Sequence, residues 1–212
     1  LWWQEAERHG VLPLDDRTLE LFGARFRTNS PHPVDRRYVY RPPMSPLPGQ
    51  ASAAIGGRAF DLTATVTREV GDEGVLFATG TENSGLSIFV QNDRLVIDYN
   101  AFDDHTILES DIEIPAGAST LVAQFRRGGG MAGSIALEID GEPAGSADLP
   151  LFMRMMSSVG PSIAYDHGSA VSNRYEAPFA FTGTLHEVVI QLLSPQDLEA
   201  RSAETAAEMS RQ

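Results

Sequence analysis

From about residue 51 to residue 192 apolar side chains recur at every second position, and this period confines the chain to half-buried strands more firmly than any other feature. Phe60, Leu62, Ala64 and Val66 alternate with Asp61, Thr63, Thr65 and Thr67, which predicts a first strand. Gly74 to Gly80 reads as a second. Residues 86 to 91 and 94 to 99 are two apolar runs separated by Asn92-Asp93, a dipeptide that tolerates positive φ, and predict a hairpin. Ser134 to Ile139 followed by Asp140-Gly141 predicts another, returning over Glu142 to Ala147. Thr106 to Ile114, Ser119 to Arg127 and Thr184 to Leu192 read as further strands. Turn residues recur too often for βαβ units, so the fold expected is an antiparallel β-sandwich.

The flanks differ. Residues 1 to 9 carry helix formers ending at His9-Gly10, and a second short helix is expected to start at Asp15 or Asp16. Residues 28 to 50 hold prolines at 31, 33, 42, 43, 46 and 48 and read as a linker or an extended wrap. After the sandwich, over 51 to 193, Ser194-Pro195 opens a stretch to 212 rich in Ala, Glu and Arg, read as a terminal helix.

At 212 residues one large all-β core is the default. The net charge of -13 argues against nucleic acid and against anionic membrane surfaces, and no apolar run approaches the ~20 residues of a membrane span, so a soluble chain is expected. All sixteen cations are arginine, which is read as a compositional bias of the source genome. Cysteine is absent, which removes disulfides, thiolate nucleophiles and cysteine metal sites and leaves the compartment undetermined.

No residue is assigned a catalytic, cofactor or metal role, although several are candidates. His9, His32, His105, His167 and His186 never fall in H-E-x-x-H or H-x-H. Asp98, Asp103, Asp104 and Asp166 are the carboxylates that could supply oxygens to a calcium ion, but the solvated loops of an acidic protein are the preferred reading of them. Glu109, Asp111 and Glu113 alternate as acids on one strand face would, and Glu187 with Asp98 or Asp111 could form a glycosidase pair; the exposed face of an amphipathic strand is preferred. Gly128-Gly129-Gly130 lacks the lysine of a phosphate loop and reads as a flexible loop.

Two segments carry a resemblance. Trp2-Trp3-Gln4-Glu5-Ala6 continuing through Val11-Leu12-Pro13-Leu14-Asp15-Asp16-Arg17 resembles the W-x-x-E-A…V-L-P-L-D-D-R signature near the end of the catalytic domain of bacterial type I arylsulfatases. The stretch from Tyr175 to Val188, and the pattern from Val90 to Tyr99, are similar to strands of the laminin-G-like, concanavalin-type sandwiches appended to such enzymes. The resemblance implies that residues 1–27 are the helical end of a sulfatase catalytic domain and that the chain, which opens without Met, is a non-catalytic C-terminal accessory part of a bacterial sulfuric ester hydrolase. It implies no cofactor here, with a divalent cation, calcium, held upstream. The C/S-x-P-x-R motif of the sulfatase nucleophile is missing: Ser30-Pro31-His32-Pro33 and Ser45-Pro46-Leu47-Pro48 have the wrong spacing and no arginine in place. The expected partners are the sulfatase catalytic domain, packed through Trp2, Trp3 and the proline-rich wrap, and a second copy of the chain. The alternative is a carbohydrate-binding laminin-G-like module.

Overall fold

A computed structural model describes residues 35–153, 159–194 and 201–202. The strands are β1 (Arg37–Tyr40), β2 (Phe60–Arg68), β3 (Gly74–Thr81), β4 (Ser84–Gln91), β5 (Arg94–Ala101), β6 (Asp104–Glu109), β7 (Gly117–Arg127), β8 (Gly133–Ile139), β9 (Glu142–Leu149), β10 (Ser162–Ile163) and β11 (Thr184–Leu192). They form a six-stranded sheet, β1-β11-β2-β7-β8-β9, and a five-stranded sheet, β10-β3-β4-β5-β6. The strand pairs within both are antiparallel.

The alternation read from the sequence decides which side chains enter the core. Phe60, Leu62, Ala64 and Val66 of β2, Leu121, Ala123 and Phe125 of β7, and Leu95, Ile97 and Tyr99 of β5 are all buried in one cluster. Phe60 pairs with Phe125 across β2 and β7, and their rings stack at 4.4 Å. Burying a phenylalanine stabilises by about 1.5–3 kcal/mol, and a well-placed aromatic pair adds about 0.5–1.5 kcal/mol. Tyr99, buried opposite Phe152, accepts the Met153 N–H at 2.8 Å, and burial pushes its phenol well above the usual value. Arg68 ends β2 pointing inward: its guanidinium donates to the Ile114 carbonyl at 2.7 Å and pairs with Asp93. It thereby ties the six-stranded sheet to the β4–β5 turn.

Three findings revise the expectations. Inside the stretch read as linker or wrap, Arg37–Tyr40 is an edge strand paired with β11, with Tyr38 and Tyr40 buried. The strand expected over Thr106 to Ile114 stops at Glu109. Ser110 is the reason: its hydroxyl accepts the Leu95 N–H at 3.1 Å and donates to the Ile112 carbonyl at 2.7 Å, while Arg94 donates to its carbonyl at 2.7 Å. Such local bonds offer the backbone an alternative to the ladder. The short β10 carries too few residues to show a period. The helices expected over 1–27 lie outside the described residues, and so does most of 194–212, where only 194, 201 and 202 are described, the last two helical. No described helix is long and apolar enough to cross a membrane.

Candidate functional site

The outer face of the five-stranded sheet is not a solvated face. Val75, Ala78, Phe89 and Val96 point away from the main core and form a second apolar cluster with Tyr175 and Phe179. Residues 164–181 run across this face as a cap. Tyr175 and Phe179 stack on each other at 4.9 Å and meet Phe89 edge-on at 5.1 and 6.2 Å. Backbone bonds pin the cap: Val75 N–H to the Phe179 carbonyl at 2.9 Å, Phe181 N–H to Ala164 at 2.9 Å, and Asp166 N–H to Pro178 at 2.8 Å. The close approach requires glycine at position 74, where a Cβ would overlap the backbone of Ala180 and Phe181 and φ is +130°.

Polar side chains beneath the cap are matched. The Tyr175 hydroxyl donates to Asp166 Oδ2 at 2.6 Å and accepts from Ser87 at 2.7 Å, and Val171 N–H reaches the same carboxylate oxygen at 2.9 Å. Burial raises the Asp166 carboxyl above its ordinary value, with the bonds from Tyr175 and Val171 opposing the shift. Burial first, then the neighbouring Asp166 carboxylate, pushes the Tyr175 phenol up. Asp98, fully buried on β5, accepts from Ser172 Oγ at 2.5 Å, and its two oxygens lie 2.8 and 3.0 Å from His105 Nδ1. Asn100 donates to the carbonyls of Glu82, at 2.8 Å, and Val171, at 3.2 Å, and accepts the Asp103 N–H at 2.9 Å. One amide thus gathers the β3–β4 turn, the β5–β6 turn and the cap at one rim of the sandwich.

The candidate residues named from the sequence divide accordingly. Asp98 and Asp166 are buried and hold the cap, whereas Asp103 and Asp104 are exposed. Among the described residues no group of three or more His, Asp or Glu side chains is placed to hold a metal. Glu109 is bound by Arg174 at 2.8 Å and Arg94 at 3.7 Å, and Asp111 and Glu113 lie beyond the end of β6, so these acids do not share a strand face. Glu187 pairs with Arg41 at 3.0 Å on the outer face of the six-stranded sheet, the side opposite Asp98. Packed sheets lie about 10 Å apart, which puts these two carboxyls beyond the ~5–9 Å of a glycosidase pair. His186 meets Thr67 Oγ1 at 2.8 Å, and the His167 N–H donates to Ser162 Oγ at 3.2 Å.

The sequence reading missed Phe102. With Asp103 it forms the two-residue β5–β6 turn, in which both residues have positive φ, 59° and 69°. Asn, Asp and Gly are the residues that suit such a turn, and the left-handed conformation costs other residues roughly 1–2 kcal/mol. The ring is nonetheless 71% exposed. A bulky aromatic thus occupies a strained turn without burying itself. Beside it Asp103 Oδ1 stands 3.8 Å from His105 Nε2. An open aromatic face flanked by hydrogen-bond acceptors can hold a ligand with one apolar and one hydroxylated side. The signal was in the sequence: Phe102-Asp103 sits where the sister hairpin carries Asn92-Asp93.

No family model and no curated protein matches the chain. Solved structures do match in shape. The CBM40, a carbohydrate-binding module, of the Ruminococcus gnavus IT-sialidase bound to alpha2,3 sialyllactose is similar with a TM-score of 0.50 and 13% identity, over 70% of this chain and 83% of that one. The NanB sialidase of Streptococcus pneumoniae is similar with a TM-score of 0.53 and 12% identity, over 78% of this chain and 27% of that one. Domains LG4-5 of the mouse laminin alpha1 chain align with a TM-score of 0.46 and 14% identity, over 79% of this chain and 43% of that one. The comparisons lend no support to the arylsulfatase resemblance. At these identities the likeness is one of fold alone, an antiparallel two-sheet β-sandwich.

Proposed function

We propose that this chain is a carbohydrate-binding sandwich that holds its ligand at the rim formed by the β5–β6 turn and the adjoining cap. The observation that carries the reading is Phe102, a 71% exposed ring held in a left-handed turn. Its side chain adds little to the core while its conformation costs stability, and residues kept under strain cluster at functional sites. The buried Asp98–His105 and Asn100 contacts behind it give the turn a fixed base, as a preformed ligand site needs. Likeness in fold to a carbohydrate-binding module supports the reading by analogy.

The module reading accommodates an accessory role in a larger hydrolase. The resemblance of Trp2 to Arg17 to a sulfatase segment names one parent, and a sandwich with 27% coverage of the NanB chain is a precedent in shape for a module within an enzyme. In that setting the chain would supply binding or stability to a neighbouring catalytic domain.

A glycan array probed with the full 212-residue chain and with Phe102→Ala tests the proposal. The wild type should bind at least one class of glycan, and the variant should lose about ten-fold in affinity, the equivalent of an aromatic contact of about 1.4 kcal/mol. Binding by the variant at wild-type strength would remove Phe102 from the site. Silence across the whole array would refute the reading.

A further inference from the structure

We infer that the rim selects uncharged sugars, taking two neighbouring hydroxyls on His105 and Asp103, and turns away anionic ones; the inference rests on the carbohydrate-binding reading. Its starting point is the tautomer of His105. Both oxygens of the buried Asp98 lie within 3.0 Å of His105 Nδ1, and a carboxylate only accepts, so Nδ1 carries the hydrogen. In the neutral ring Nε2 then keeps its lone pair and acts as an acceptor. Ser172, donating to the same carboxylate at 2.5 Å, holds Asp98 in place from the cap side.

Nε2 faces Asp103 Oδ1 across 3.8 Å. With the imidazole neutral, both atoms are acceptors that cannot bond to each other, and a group that satisfies both must bring two donors. Adjacent hydroxyls on a sugar ring do so, and the ring's apolar side is left free to lie against an aromatic face such as that of Phe102. The Asp103 side chain is 94% exposed, so its oxygen is open to such a ligand.

Charge sets the selectivity. Asp103 and Asp104 crowd the β5–β6 turn, Glu82 occupies the neighbouring β3–β4 turn, and the whole chain carries -13. Carboxylate recognition ordinarily uses a guanidinium fork. Among the described residues, the two guanidiniums along β6 on the outer face are committed elsewhere: Arg174 reaches Glu109 Oε2 at 2.8 Å, and Arg94 lies 3.7 Å from Glu109 Oε1 and donates to the Ser110 carbonyl at 2.7 Å. An anionic sugar at this rim meets carboxylates of its own sign. The selectivity is opposite to that implied by the sialyllactose bound in the similarly folded sialidase module.

The test is an array of neutral glucose, galactose and mannose oligosaccharides printed with alpha2,3 and alpha2,6 sialyllactose, followed by calorimetric titration of the full chain with the strongest binder. The expected result is signal among the neutral members with both sialyllactoses at background. Asp103→Asn should weaken the neutral ligand about ten-fold, as loss of a charged acceptor does, while thermal unfolding stays at the wild-type temperature. Preference for the sialyllactoses that disappears in Phe102→Ala would overturn the selectivity and leave the rim as the binding site. Neutral binding that is indifferent to Asp103→Asn would also overturn it. Absence of binding to every member would take down the carbohydrate reading and this inference with it.

Discussion

Replacing Phe102 by Asn separates folding from binding at the proposed site. The substitution puts Asn-Asp in the β5–β6 turn, the same dipeptide that forms the β4–β5 turn at φ values of 52° and 60°. A bulky side chain in the left-handed region costs roughly 1–2 kcal/mol, most of which Asn recovers because its short polar side chain tolerates that region. Against this stands the packing of the ring. With 71% of Phe102 exposed, about three-tenths of its surface is covered, and full burial of a phenylalanine is worth about 1.5–3 kcal/mol, so removing the ring gives up roughly 0.5–0.9 kcal/mol of burial. The two effects leave the variant between about equal in stability and about 1 kcal/mol more stable. In a chain of this size that is a rise of at most about 2–4 °C in Tm. Urea unfolding at neutral pH measures it, with glycan binding followed on the same samples. Stability held or gained, with glycan affinity lowered about ten-fold, is the expected pair of results. A drop in stability above about 1.5 kcal/mol would show that the ring is held in the turn by packing, and the argument from its strain and exposure would fail.

Tyr175→Phe removes the hydroxyl that donates to the buried Asp166 and should cost about 1–3 kcal/mol in urea unfolding; an unchanged midpoint would mean that the cap is not fastened there. Phe125→Ala takes one ring from the Phe60 stack and should cost about 3–5 kcal/mol. Two carboxyls give opposite pH signatures. Asp93 is held below its ordinary value of 3.8 by the Gly71 N–H and then by Arg68, so its contribution is present above 3.8 and is lost as pH falls through the lowered value; Asp93→Asn should flatten that acid limb. Asp166 is raised by burial, so its contribution is complete below 3.8 and is lost as pH climbs through the raised value, and Asp166→Asn should remove that decline. A wild-type limb that persists in either variant assigns the titration to another group.

Much of the sandwich was legible because its strands obey one rule. Phe60 to Val66 and Leu121 to Phe125 alternate cleanly, since one face of each meets the core, and the turns Asn92-Asp93 and Asp140-Gly141 announce their hairpins. The edge strand β1 was hidden by the prolines on either side of it, at 31, 33, 42 and 43, and by its length of four residues. Ser110 ended β6 through a turn bond to Ile112 and a bond from Leu95 on the neighbouring strand, a partner that a local pattern does not reveal. The cap was the largest omission. Its trace in the sequence is Phe89 and Val96, apolar residues on what alternation alone assigns to solvent, and a strand apolar on both faces must be covered on both. For the same reason Asp98 and Asp166 looked like open loop carboxylates, although contacts with Ser172 and Tyr175 of the cap hold them in buried positions. Phe102 was visible in principle, because an aromatic in place of Asn or Gly at a two-residue turn breaks a local rule, and such breaks mark functional positions.

The most direct test of the rim as the binding site is an amide chemical-shift map of the 15N-labelled chain, titrated with the strongest oligosaccharide from the array. The account predicts that the shifts concentrate in Asn100 to His105 and in the cap beside them, 169–172, with the outer face of the six-stranded sheet unmoved. Shifts centred on β1, β11 and β2, with the β5–β6 turn silent, would place the ligand on the opposite sheet and contradict it.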